Sequence, residues 1–134
     1  MVDFTTSCKT VNLDIGTITI NSASVIRDTT LFDLQGEITS QLNIFPITVT
    51  GGSFGTGGTE GQTTLINLDV TMPGGSVATI KDWTINTVTF DQGATLIKNP
   101  TGKTMAGTFS MSAIAFNTPT LTSGSLFIFA QIDG

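Results

Sequence analysis

Apolar and polar residues alternate one by one along much of this sequence, and this period of two constrains the fold more than any other feature. Ile66, Leu68, Val70 and Met72 follow it without interruption. Successive side chains of a β-strand point to opposite faces, so strict alternation predicts a strand with one buried face. No segment shows the period of an amphipathic helix convincingly. The sequence therefore predicts an all-β domain.

The alternation slips by one residue near the N-terminus. Val11, Leu13 and Ile15 alternate with polar neighbours, and the pattern resumes at Ile18 after Gly16. A slip of one residue at a glycine is typical of a β-bulge, where one strand of a pair gains a residue. We therefore expect one long, bulged strand in this region.

Turn-forming residues divide the chain into about eight to ten predicted strands. The longest connection is the glycine-rich segment 51–62, and Pro46 interrupts the strand predicted for 37–49, which indicates an edge or a bulge. These elements predict a single antiparallel β-sandwich of jelly-roll type, with a barrel as the second choice. We expect residues 1–10 to form an N-terminal arm and residues 11–134 to form the sandwich.

Two short stretches of the sequence look alike. Residues 12–15 read Asn-Leu-Asp-Ile and residues 67–70 read Asn-Leu-Asp-Val. A repeat architecture shows self-similarity that continues at a fixed period, and the residues flanking these stretches do not continue the match. We therefore expect no internal duplication.

The charge content is low and its balance is acidic. Only 11% of the residues are charged, compared with about 25% in ordinary soluble domains, and the net charge is −5. Five basic residues against ten acidic ones would repel a phosphate backbone, so nucleic acid is not an expected partner. Surfaces rich in Thr, Ser and Gly lose little solvation when they are buried against other copies, so the composition favours a homo-oligomer.

Targeting signals are not visible in the sequence. No apolar run is long enough to span a bilayer, and the start Met-Val-Asp-Phe lacks the basic residues and apolar stretch of a signal peptide. We expect synthesis in the cytoplasm and a final location in a virion or outside the cell. Removal of a leader before this start is the alternative.

The residue types exclude several kinds of catalytic site. The chain has no histidine, no tyrosine and one cysteine, Cys8, so it lacks the residues for imidazole-based catalysis and for a Cys-rich zinc site. Gly102-Lys103-Thr104 is similar to the end of a phosphate-binding loop, but Ile97 occupies the position of the required first glycine. Carboxylate pairs remain the one route to a hydrolase, and we expect no enzyme.

Calcium is the one ion that the sequence suggests, and no other cofactor is expected. Asp28, Asp33 and Glu37 are close in sequence, and turn acids together with backbone carbonyls suit a hard cation. The spacing matches no established calcium loop, so solvated carboxylates are the simpler interpretation.

Aromatic residues mark the candidate interaction sites. Phe54 stands in the glycine-rich segment, where its ring must pack on the core or on a neighbour, and Trp83 is the one ring with a polar group. Phe4 is the anchor of the predicted arm, and Phe127 and Phe129 lie in a C-terminal strand that is apolar on both faces. Such a strand is either central to a sheet or donated to a neighbouring subunit.

These observations favour a non-enzymatic structural protein, a self-assembling subunit of a virion, of the capsid decoration or fibre type, or of an extracellular filament. In composition the chain looks like small all-β virion proteins, such as decoration and fibre domains of tailed phages, and like surface-filament subunits. The alternative is an extracellular module that binds carbohydrate or calcium. A carboxylate hydrolase is the third hypothesis.

Overall fold

The computed structural model describes residues 2–4, 9–21, 26–99, 102–122 and 127–130. None of these residues is helical, and they form fifteen strands. The strands are β1 (Val2–Phe4), β2 (Lys9–Ile15), β3 (Ile18–Asn21), β4 (Thr30–Ile44), β5 (Ile47–Thr50), β6 (Ser53–Phe54), β7 (Thr64–Thr71), β8 (Val77–Ile80), β9 (Trp83–Asn86), β10 (Thr89–Phe90), β11 (Thr95–Lys98), β12 (Thr108–Met111), β13 (Ile114–Asn117), β14 (Thr120–Leu121) and β15 (Phe127–Ala130).

The chain winds into a parallel β-solenoid, in which each coil stacks on the coil before it. Ile18 pairs with Ile47, Ile47 with Trp83, and Trp83 with Ile114. Successive coils therefore take 29, 36 and 31 residues (18 to 47, 47 to 83 and 83 to 114). The described residues make four coils and begin a fifth with β15.

Each coil has four sides. The first side stacks β1, the first half of β4, β7, β11 and β15, and the second side stacks β2, the second half of β4, β8 and β12. The third side stacks β3, β5, β9 and β13, and the fourth side stacks β6, β10 and β14. In the first coil the fourth side is represented by Ile26, which forms a parallel bridge with Phe54 of β6. β4 runs through two sides, whereas Pro73, Gly74 and Gly75 separate β7 from β8 in the next coil.

The predicted antiparallel jelly-roll sandwich is wrong, and so is the barrel. All the pairings between described strands are parallel, and each strand pairs with its equivalent one coil away instead of with its neighbour in sequence. The prediction of strands was sound because alternation identifies a strand and its buried face. Alternation is the same in a parallel and an antiparallel sheet, so it does not identify the pairing partner.

Two-residue corners join the second and third sides. They are Gly16-Thr17, Phe45-Pro46, Lys81-Asp82 and Ser112-Ala113. Backbone hydrogen bonds join each corner to its neighbour, for example from Phe45 N–H to the Ile15 carbonyl (3.0 Å) and from Ile18 N–H to the Pro46 carbonyl (3.2 Å). The slip at Gly16 is therefore a corner and not a bulge. Pro46 is tolerated because it lies between two strands rather than within one.

The structure repeats, although no internal duplication was expected. The ten residues 12–21 occupy the same place in their coil as 41–50, 77–86 and 108–117 do in theirs. The two stretches that look alike are not related by this repeat, since residues 12–15 lie on the second side and residues 67–70 on the first. Their likeness reflects a shared strand pattern.

Apolar side chains fill the interior as columns that run from coil to coil. On the second and third sides the four columns are Leu13, Leu42, Ala78 and Phe109; Ile15, Ile44, Ile80 and Met111; Ile18, Ile47, Trp83 and Ile114; and Ile20, Val49, Ile85 and Phe116. On the fourth side Phe54 stacks on Phe90 with ring centroids 5.8 Å apart. These side chains belong to one hydrophobic cluster.

Coils approach so closely at one corner that a side chain would not fit there. A Cβ atom on Gly107 would overlap with the backbone oxygen of Ser76 in the coil below. The Thr108 N–H donates to that same oxygen (2.9 Å). Gly107 therefore permits one of the backbone hydrogen bonds that join the third coil to the fourth.

Candidate assembly surface at the ends of the coils

The interior columns are closed in the middle of the solenoid and open at its ends. In the second coil Leu42 and Ile44 are fully buried, and in the third coil Ile80 and Ile85 are fully buried. Their equivalents in the first and fourth coils are only partly buried. These partly buried residues are Leu13, Ile15, Ile18 and Ile20 at one end and Phe109, Met111, Ile114 and Phe116 at the other.

Among the described large apolar side chains, the most exposed one lies at the C-terminal end. Leu121 on β14 is 61% exposed, and it is in register with the buried Phe90 of the coil below. Leu121 continues the Phe54–Phe90 column, and within the described residues no further strand follows β14 on this side. The exposure of Leu121 therefore reflects its place on the last described strand of this side, since the residue in register with it one coil below is buried.

The outermost strands of the described sheets complete these end surfaces. β12, β13 and β14 are the last strands of their sheets at one end, and β3 is the last at the other. An outermost strand presents backbone N–H and C=O groups that can pair with another chain. We call the surface formed by β12, β13 and β14 the C-terminal end and the surface formed by β2, β3 and Ile26 the N-terminal end.

The two ends match each other position by position. If a second copy continued the register, its Leu13 would lie against Phe109, its Ile20 against Phe116 and its Ile26 against Leu121. At each of these positions one apolar side chain would meet another.

Polar positions match as well. The side chain of Asn117 donates to Asn86 (2.7 Å), and Asn86 donates to Thr50 (3.5 Å), which is in register with Asn21. In a continued stack Asn21 of a second copy would extend this polar ladder from Asn117.

The described strands on two sides of the solenoid carry no charge. None of the described strands of the third and fourth sides contains a charged residue. On the third side the residues between the buried positions are Thr19, Thr48, Thr84 and Ala115, followed by Asn21, Thr50, Asn86 and Asn117. On the first side, by contrast, Asp69 of β7 forms an ion pair with Lys103 (Nζ to Oδ1, 3.2 Å).

The structure does not bring the three carboxylates of the predicted calcium site together. Asp28 lies in the turn before β4. Its Oδ1 accepts a hydrogen bond from the N–H of Thr59 (2.6 Å), and this bond connects the turn to the glycine-rich segment 51–62. Asp33 accepts hydrogen bonds from the side chains of Gln35 (2.8 Å) and Asn67 (2.7 Å).

Glu37 lies on the same strand as Asp33, four residues away, which is about 13 Å along a strand. Within the ranges described, no three acidic, cysteine or histidine residues cluster as a metal site would require. Calcium binding stays a prediction.

The candidate interaction residues fall into two groups. Trp83 (1% exposed) and Phe54 (0%) are interior residues, so neither ring is available to stack on a sugar. Phe4 lies on β1 and Phe127 and Phe129 lie on β15, which pair with β4 and β11, and their side chains are outside the described part of the structure. The carbohydrate-binding alternative stays a prediction.

Residues 1–10 were predicted to be an arm, and the described part of this range consists of strand. β1 pairs with β4 over Val2–Phe4, and β2 begins at Lys9. No helix in the described ranges is long and apolar enough to cross a bilayer.

Sequence reasoning missed the residues that form the two ends. A signal for them was present, since the pattern of two alternating apolar residues, a two-residue gap and two more occurs at 13–20, 42–49, 78–85 and 109–116. The first and last of these four segments are the end columns.

No protein-family model matches this sequence, and neither a curated protein nor a solved structure is similar to it.

Proposed function

We propose that this chain is a structural protein that assembles with copies of itself by stacking the C-terminal end of one copy on the N-terminal end of the next. It would serve as a subunit of a virion, as a decoration or fibre component, or of an extracellular filament. The observation that carries the proposal is the match in register and polarity between the two open ends. No catalytic role is part of it.

The hydrophobic effect favours this contact. Fully burying one Leu, Ile, Phe or Met side chain stabilises by roughly 1.5–3 kcal/mol. Stacking would complete the burial of four columns on the second and third sides, and it would also cover Leu121 on the fourth side, which is 61% exposed. The outermost strands would gain backbone hydrogen bonds at the same time.

The symmetry of the contact favours a filament. One end differs from the other, so the contact is head-to-tail, and a head-to-tail contact produces an open chain of copies unless rotation closes it into a ring. The uncharged strands of the third and fourth sides would then form continuous Thr- and Asn-rich faces along the filament.

The proposal is tested by sedimentation velocity and light scattering over a range of protein concentrations, with negative-stain microscopy of the same samples. We expect rods whose length grows with concentration. Leu121→Glu should abolish growth, since it places a charge inside the contact. Val77→Glu is the matched control, because Val77 is 38% exposed on a middle coil and should leave growth unchanged. Equal effects of the two variants would overturn the proposal, and so would an absence of rods at high micromolar concentration both from this chain and from a chain that ends before β15.

A further inference from the structure

The first side extends one strand beyond the other sides at the C-terminal end. β15 pairs with the outer edge of β11, with Phe129 in register with Ile97 and Ala130 in register with Lys98. The second and third sides end one coil earlier, at β12 and β13, among the described residues. The C-terminal end is therefore not level, because β15 forms a step.

A second copy stacked in continuous register would need the place that β15 occupies. β1 precedes β2 on the first side, and its residue Val2 is in register with Phe32, Phe32 with Ile66, and Ile66 with Ile97. If β2 of the arriving copy stacks on β12, its β1 falls on the outer edge of β11. The edge of β11 can accept one strand, so β1 and β15 exclude each other there.

Charge distinguishes the two candidate strands. Asp3 is in register with Asp33 of its own chain, so two acidic residues occupy paired positions on adjacent strands. On β11 of a receiving copy Asp3 would be in register with Lys98, where β15 presents the uncharged Ala130. Opposite charges on adjacent strands stabilise the pair and like charges destabilise it.

We propose that β15 is a built-in stop to head-to-tail growth, and that a second copy of this chain continues the solenoid when its β1 displaces β15 from β11. The inference rests on the proposed function, because it names the strand that regulates the end contact. Only the fraction of copies in which β15 has left β11 can accept a partner, and the apparent affinity between copies falls by that fraction.

The first test uses full-length protein and the charge pair between copies. Asp3→Lys alone places two lysines opposite each other at the contact, and Lys98→Asp alone places two aspartates there. Each variant should need about fivefold more protein than the original chain to form rods, since exposed ion pairs are worth a few tenths of a kcal/mol to about 1 kcal/mol. An equimolar mixture restores opposite charges at every contact in an alternating filament, so assembly should return to the original concentration.

The second test removes the stop. A chain that ends at residue 126 lacks β15, and it should form rods at a concentration about tenfold lower or less, in line with a larger fraction of open ends. A chain that ends at residue 130 keeps β15 and is the matched control, with no change expected. Thermal melting of both chains verifies that each is folded.

The outcomes separate the two proposals. Rods from the original chain, together with unchanged assembly of the chain ending at residue 126 and no rescue by the mixture, would overturn the role of β15 and leave end-to-end stacking intact. An absence of rods from every chain, including the one without β15, would overturn the proposed function itself. Rescue in the mixture with enhanced growth on truncation supports both.

Discussion

The middle coils and the end coils carry the same apolar pattern but differ in how completely it is buried. Ile44 of the second coil is fully buried, whereas Ile15, the residue in register with it, is only partly buried. The sequence does not cause the difference, because both residues are isoleucine at equivalent positions. In a solenoid each coil contacts only its neighbours, so a coil with one neighbour leaves half of its interior uncovered. The end coils therefore resemble middle coils that lack a partner.

The largest expected effect compares these two isoleucines directly. Ile44→Ala should lower the free energy of unfolding by about 3–4 kcal/mol, because it leaves a cavity among closely packed neighbours. Ile15→Ala should cost about 1–2 kcal/mol, since part of the side chain is already solvated. Urea denaturation at low protein concentration measures both. Equal costs would show that the end coil is covered in solution and would remove the distinction between the coils.

A smaller effect is expected where the third coil meets the fourth. Gly107→Ala should cost about 1–3 kcal/mol, because its Cβ would press on the Ser76 backbone oxygen and separate the coils. Gly74→Ala is the control, since nothing lies within 4 Å of a Cβ built there. Hydrogen exchange at Thr108, whose N–H donates to Ser76, should become faster in Gly107→Ala alone. Unchanged exchange would mean that the fourth coil does not depend on this contact.

The smallest change in stability is expected at Trp83, the buried tryptophan of the third coil. Nε1 of Trp83 is buried and has no hydrogen-bond partner, and leaving such a donor unsatisfied costs about 1–3 kcal/mol. Trp83→Phe removes the donor and some apolar area together, so stability should change by less than about 1 kcal/mol. Trp83→Leu removes the same donor and more area, and it should destabilise clearly. A large loss in Trp83→Phe would indicate that Nε1 has a partner in solution.

Part of the fold could be predicted from the sequence. The alternation at Ile66, Leu68 and Val70 predicted the strand that the structure contains, with all three side chains buried. The prediction failed at Gly16, where a one-residue slip was interpreted as a bulge. A single slip is ambiguous between a bulge and a corner, and the recurrence of the same slip in three later coils was the information that resolves it.

The end surfaces could not be predicted from local pattern. Leu121 follows Asn117-Thr118-Pro119 and has the sequence context of a turn, with no feature that distinguishes it from an ordinary surface leucine. Its meaning comes from Phe90 and Phe54, which lie directly below it in the stack. Similarly, Lys98 and Asp3 are far apart in sequence, and only the register of the first side places Asp3 on the first strand of that side and Lys98 on the strand directly below β15.

The sequence by itself determined that this chain forms strands, which residues face the interior, and that histidine-based and Cys-rich metal chemistry are absent from it. These properties follow from residue type and from a period of two, and both are local. The tertiary structure alone decided that the strands pair in parallel one coil apart and that the interior is left open at the two ends. Pairing is decided by which coils can stack their apolar columns, and this depends on contacts between residues about thirty positions apart.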